Sequence, residues 1–182
     1  MAQRLFLVDV EASAPTPYRG VMTEFGVVGF ETRDWFHGHL WDSHPDPEVP
    51  ARPVAEREAP GWTTNRLPRH DVATAREVFT SLHEWMAQLT EHDDRPVFVS
   101  DNPGYDVMWM AEGFDRAGMV NPFGHSARRI GDLAAGLSGN WKNTSEWKKH
   151  RRTPHDHNPV NDALGNAEAL RAILVRHGQI AA

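Results

Sequence analysis

Five residues in three separated stretches carry the chemistry open to this sequence. Asp9 and Glu11 form an Asp-x-Glu in the first apolar run, LFLVDVE; Asp106 closes SDNPGYD; His157 and Asp162 frame HNPVND, ahead of the last amphipathic stretch. Hard divalent cations such as Mg²⁺ or Mn²⁺ prefer carboxylate oxygens and water. Two such ions about 3.5–4 Å apart can clamp the attacking and leaving oxygens of a phosphodiester. An imidazole, whose ordinary pKa lies near neutrality, suits the removal of a proton from water. The sequence supplies those parts: Asp9, Glu11, Asp106 and Asp162 as ligands and His157 as base.

Each residue also has a plainer reading. In an extended strand, residues two apart point to one face, so Asp9 and Glu11 project together. Paired carboxylates repel unless a cation or proton compensates them, but a strand that simply ends there lets both reach solvent. Asp106, near the start of a helix, complements the helix dipole, and Asn102 caps that helix or braces the loop. His157 is one of eleven histidines, most often surface residues in such a place. The conjunction, with every member at the edge of a regular element, favours the metal-site reading.

The elements that must position these residues follow from periodicity. Leu5 to Val10 reads as a buried strand, and Val21 to Phe30 and Trp35 to Trp41 as two more around a turn at Thr32-Arg33-Asp34. Residues 43 to 70, rich in Pro, His and charge, read as a long excursion, and Asp71 as a cap for the next helix. Ala75, Val78, Phe79, Leu82, Trp85, Met86 and Leu89 recur at helical spacing. Pro96 to Ser100 reads as a strand, followed by a helix from Pro103 through Phe114 and a break at Pro122 to Gly124. Leu164, Ala167, Leu170, Ile173 and Leu174 form the apolar face of a last helix ended by Gly178. This order predicts an α/β domain with a mixed sheet.

Composition narrows the function classes. At 182 residues with 40% apolar content, one domain spanning 1–182 is expected, with a core of its own. No apolar run approaches the length of a membrane span, and the N-terminus does not read as a signal peptide, so a cytoplasmic setting is expected. Zero cysteines exclude disulfides and thiolate zinc sites. A formal charge of -6 argues against coating duplex nucleic acid by bulk electrostatics, though bound cations would reverse the field locally.

With these motifs in this order, the chain resembles the DEDDh 3′–5′ exonucleases of the RNase H-like superfamily. Their first motif, an apolar strand ending in Asp-x-Glu, is matched by FLVDVE. The second, an Asn followed three residues on by an aromatic-Asp pair, is matched by Asn102, Tyr105 and Asp106. The third, a His followed after four residues by Asp, is matched by His157 and Asp162. The resemblance runs from Phe6 to about Leu174. The stretches NPFGHSARRIGDL and WKNTSEWKKHRRTPHDHNPVNDALGNAEAL resemble a stand-alone bacterial subgroup.

The resemblance implies a central mixed five-stranded sheet flanked by helices and two bound divalent cations, Mg²⁺ or Mn²⁺. It implies that Asp9 bridges both ions, that Glu11 and Asp162 complete one site, that Asp106 serves the other, and that His157 is the base. The implied reaction releases nucleoside 5′-monophosphates from the free 3′ end of single-stranded or short nucleic acid, RNA slightly favoured over DNA, in a homodimer. Many relatives follow Glu with Thr-Thr-Gly; here Ala12-Ser13-Ala14-Pro15 stands instead, so sugar selectivity does not transfer. His155 lies two residues before His157, but only His157 has the four-residue gap to Asp162.

Expected substrate contacts are Ala12, Ser13, Asn102, Trp109 as a base-stacking platform against the plainer reading of core packing, and Arg128 against plain solvation. Lys142, Lys148, Lys149, Arg151 and Arg152 form a basic run suited to backbone phosphates or to plain solvation. Two other function classes remain: a nucleic-acid-binding module with a disabled site, and an all-helical HD-type phosphohydrolase. The latter is suggested by His70-Asp71, His92-Asp93 and His155-Asp156.

Overall fold

The computed structural model describes residues 2–40 and 75–181. The expected excursion at 43–70, the cap at Asp71, the His70-Asp71 doublet and the end of the third strand at Trp41 lie outside the described residues. Within them, the elements run β1 (Gln3–Ala12), β2 (Met22–Gly29), β3 (Trp35–His39), α1 (Ala75–Leu89), β4 (Arg95–Ser100), α2 (Pro103–Arg116), β5 (Ala127–Arg129), α3 (Ile130–Ser138) and α4 (Pro159–Arg176). A 3₁₀ turn, Glu146–His150, leads towards α4. The five strands form one mixed sheet in the order β3-β2-β1-β4-β5. β1 pairs antiparallel with β2 and parallel with β4, β2 pairs antiparallel with β3, and β4 pairs parallel with β5. A sheet of this size is incompatible with an all-helical HD fold, and that reading is corrected here.

Strand alternation in β1 sends Phe6, Val8 and Val10 to one face and Leu7 to the other. The first face packs α1 and α2 through Phe79, Leu82, Trp109, Met110 and Phe114, all buried. The second face packs α4 through Val160, Leu164, Leu170 and Ile173. The helical spacing of apolar residues read from Ala75 to Leu89 is thus the core-facing stripe of α1. β5 and α3 escape sequence reading because β5 has only three residues, too short for any alternation to register.

Two local devices bring α4 to the sheet. Asn158 caps its N-terminus, its side-chain oxygen accepting from the Val160 and Asn161 N–H groups at 3.0 and 3.3 Å, with Pro159 at the first position. Gly26 of β2 then lets the helix start rest directly on the strand, because a Cβ at Gly26 would collide with the Pro159 carbonyl and the Val160 nitrogen.

Candidate active site

β1 is longer than its parallel neighbour, and this difference builds the site. The last β1–β4 pair is Leu7 with Val99, so the strand from Val8 onward extends past β4. Asp9 and Glu11 lie in this overhang and, by alternation, share the Leu7 face against α4. Helix α2 begins just after β4 and places buried Asp106 against the overhang, where the Val10 N–H meets its carboxylate. α4 places Asp162, only 1% exposed, on the other side. One carboxylate oxygen each from Asp9, Glu11 and Asp162 lie within 4.8 Å of one another.

Electrostatics show how crowded this arrangement is. Burial, followed by the charges of Asp106, Asp162 and Glu11, pushes the Asp9 carboxyl well above the usual carboxylate range, against the pull of Arg151. Burial also raises Glu11, with Asp162 and Glu24 adding to the shift and His157 opposing it. Asp106 is pushed up to about 7, mainly by burial. Nearby Tyr105 is raised by burial and then by Glu11, Asp106 and Asp9. Asp162 Oδ2 is buried, makes no hydrogen bond, and lies 2.7 Å from His155 Nδ1 outside hydrogen-bond geometry. An all-oxygen set of repelling, partly unsatisfied carboxylates fits a hard divalent cation.

The two histidines of the loop before α4 both reach the acids. His157 Nδ1 stands 3.5 Å from Glu11 Oε1, its ring largely exposed. His157 adopts φ 60, in the left-handed region uncommon for a side-chain-bearing residue. The structure brings His155 closer to Asp162, at 2.7 Å, than it brings His157 to Glu11, at 3.5 Å, and the two rings lie 4.7 Å apart. Sequence spacing favours His157 over His155; proximity to the acids does not.

Arg151 is the residue that sequence reading misplaced most. Expected in a basic run suited to backbone phosphates or to plain solvation, its side chain is only 10% exposed and its Nη2 donates to Asp162 Oδ1 at 2.9 Å and to the Asp162 carbonyl at 3.2 Å. It passes over Gly165, where a Cβ would press on the guanidinium and on the Thr153 carbonyl. Glu168 fastens the same segment by accepting from the Arg152 and Thr153 N–H groups at 2.7 and 2.8 Å. Of the remaining run, Lys148 pairs with Asp101 at 2.6 Å and Lys149 with Glu146 at 3.6 Å. The one available signal was the position of Arg151 eleven residues before Asp162, which no local periodicity interprets.

The expected substrate contacts divide. Ala12 ends β1 beside the acids, and Ser13 follows, its hydroxyl accepting from the Val21 N–H at 3.0 Å. Asn102 is exposed at the α2 N-terminus but makes no side-chain cap; its carbonyl accepts from Tyr105 and Asp106 instead. Trp109 is 1% exposed inside the aromatic core, so its expected role as a stacking platform is corrected. Arg128 is exposed and lies apart from the acids, its guanidinium donating to Gln3 Oε1 at 2.6 Å at the opposite end of β1.

No protein-family model matches the sequence. An Escherichia coli protein, 3′-5′ DNA exonuclease Cap18, is 30% identical over 172 residues, covering 91% of this chain and 89% of that one. Among solved structures, the nuclease domain of 3′hExo, a DEDDh family member, bound to rAMP, matches with a TM-score of 0.59 over 97% of this chain and 92% of that chain at 14% identity. Full-length 3′-exonuclease matches with a TM-score of 0.61 over 96% and 82% of the two chains at 15% identity. At these identities the structures establish the fold, which is the RNase H-like exonuclease fold that the sequence resemblance implies. With the E. coli relative spanning nearly the whole chain, the conclusion is that this chain belongs to the DEDDh 3′–5′ exonucleases, divalent-metal-dependent enzymes that act on nucleic acid.

Proposed function

We propose that Asp9, Glu11, Asp106 and Asp162 hold two divalent cations, Mg²⁺ or Mn²⁺, and that His157 is the general base of a 3′-end exonuclease releasing nucleoside 5′-monophosphates. The observation that carries this reading is the convergence of Asp9, Glu11 and Asp162 oxygens within 4.8 Å, beside buried Asp106. Cations held there supply charge stabilisation to the scissile phosphodiester. The chain's own residues do the rest. His157, exposed and anchored towards Glu11, faces the side from which water arrives and takes its proton. Arg151 holds Asp162 in one orientation, so that the α4 carboxylate reaches Asp9 rather than solvent. Ala12, Ser13 and Asn102 border the cluster and meet the terminal nucleotide.

On the sugar, the sequence resemblance favours RNA slightly, whereas the E. coli relative is named for DNA. The proposal follows that relative: the substrate is single-stranded or short DNA with a free 3′ end. A homodimer, a single domain over 1–182 and a cytoplasmic setting complete the reading. Among the described residues, no helix is long and apolar enough to cross a membrane.

A product ladder from matched DNA and RNA oligomers labelled at the 5′ end tests the proposal. Stepwise shortening that requires Mg²⁺ or Mn²⁺ and stops at a blocked 3′ end is expected, faster on DNA. Internal cuts, or strands bound but left intact, would defeat it and favour an endonuclease or a binding module. Light scattering of the purified chain reports the dimer.

A further inference from the structure

We propose that Glu24, His37 and His39 form a second cation site, sharing no residue with the carboxylate cluster, that takes a borderline divalent ion of the zinc class. This goes beyond the exonuclease reading and does not depend on it. The three side chains each offer one ligand atom, and those atoms lie within 4.8 Å of one another. Glu24 Oε2 is 2.9 Å from His37 Nε2 and 3.9 Å from His39 Nδ1, and the two imidazole rings are 3.9 Å apart between centroids.

Strand geometry makes this grouping a built feature. His37 and His39 are two apart on β3 and so share a face. His39 lies directly across from Glu24 on β2, which fixes that face. His37 lies across from Gly26, which has no side chain to intervene, so its ring reaches diagonally to Glu24. All three donors stand on paired strands rather than on loops, which holds their spacing.

The chemistry of the donors differs from that of the neighbouring cluster. Two imidazoles and one carboxylate suit Zn²⁺, Co²⁺ or Ni²⁺, whereas Mg²⁺ prefers the oxygen-only set around Asp9. Side-chain exposures of 19% for His37, 24% for Glu24 and 40% for His39 leave the trio within reach of solvent and keep it partly sheltered. Three protein ligands leave a coordination position for water or another ligand. Glu24 pairs in register with Glu11, so this second ion would sit one strand away from the proposed catalytic acids. His37 Nε2 and Glu24 Oε2 share a hydrogen bond, which already holds these two donor atoms together.

Calorimetric titration of the full chain with Zn²⁺, in excess Mg²⁺ to fill the oxygen-rich cluster, tests the site. One tight equivalent is expected, weakened by roughly tenfold or more in His37→Ala and in His39→Ala. The equivalent must survive in a His155→Ala/His157→Ala double variant, which removes the imidazoles of the other His-containing group, His155, His157 and Asp162. His39→Ala, the most exposed of the three, keeps the test valid if His37→Ala does not fold. No Zn²⁺ heat, or heat that is lost with His155 and His157 but not with His39, would overturn the proposal and leave a hydrogen-bonded pair only.

Discussion

The two faces of β1 differ within a single ten-residue strand. On one face Phe6, Val8 and Val10 enter an aromatic wall in which Phe79 meets Phe25 in a tilted contact at 5.3 Å and Phe114 edge-to-face at 4.6 Å. On the other, Leu7 gives way to Asp9 and Glu11, which meet Asp162 and Arg151 instead of hydrocarbon. The first face supplies cohesion and the second concentrates like charge. Among the described residues, the opposite face is packed by buried aromatic and aliphatic side chains of β1, β2, α1 and α2. Stability and reactivity here are separated by the two-residue repeat of a strand, not by distance.

The sharpest way to break the comparison is Asp9→Ala. It should lower turnover by about 10³-fold or more while the fold is retained, because it removes repulsion as well as a ligand. Normal rates in a product-ladder assay would remove Asp9 from the site. Asp162→Ala is a less clean test than the motif suggests: it strands a buried Arg151, and breaking such a pair costs about 3–5 kcal/mol. Asp162→Asn, which keeps an acceptor for Arg151, should lose activity with less loss of stability by denaturant titration. Next comes His157→Ala, with a fall of about 10²–10⁴-fold in kcat and little change in Mn²⁺ affinity. A larger effect from His155→Ala would reassign the base.

On the other face, Phe79→Ala should cost about 3–5 kcal/mol of stability and leave the metal dependence of turnover unchanged. Metal and pH then probe the charged face. Asp106 is held up to about 7, and Asp9 and Glu11 also lie above the usual carboxylate range. Between about pH 4, where unfolded carboxylates titrate, and pH 7, the folded metal-free protein therefore binds more protons than the unfolded chain. The contribution of these three carboxyls to stability should therefore be largest below that window and fall as pH rises through it. Added Mg²⁺ or Mn²⁺ at 100 times Kd should raise Tm by roughly 5–10 °C, more at pH 8 than at pH 5. A metal-free Tm that rises over the same window would contradict the charge crowding. The smallest effect is expected from Arg128→Ala, which should change product-ladder rates less than twofold, given its place beside Gln3.

What was legible in the sequence was what local pattern encodes. Asp9 and Glu11 on one strand, Asp106 at a helix start, and His157 and Asp162 around an Asn-Pro cap are all short-range features. So is the α1 stripe. What was not legible depended on which face of an element meets which neighbour. Trp109, one turn beyond Asp106, suits base stacking or core packing on sequence alone; both residues lie on the buried side of α2, and only packing shows that side to be core. Arg151 reads as one more cation until α4 folds back onto it. β5 has three residues, and its pairing with β4 is a tertiary fact.

Gly26 has a consequence of another kind. Its hydrogen is the spacer between β2 and the start of α4, so it sets the gap across which Asp162 faces Asp9. A residue with no reactive atom thus calibrates the reactive ones, and a survey of acids, bases and nucleophiles would pass over it. A single methyl group there would act as a shim, lifting the helix and prising the carboxylates apart while every one of them remained in the chain.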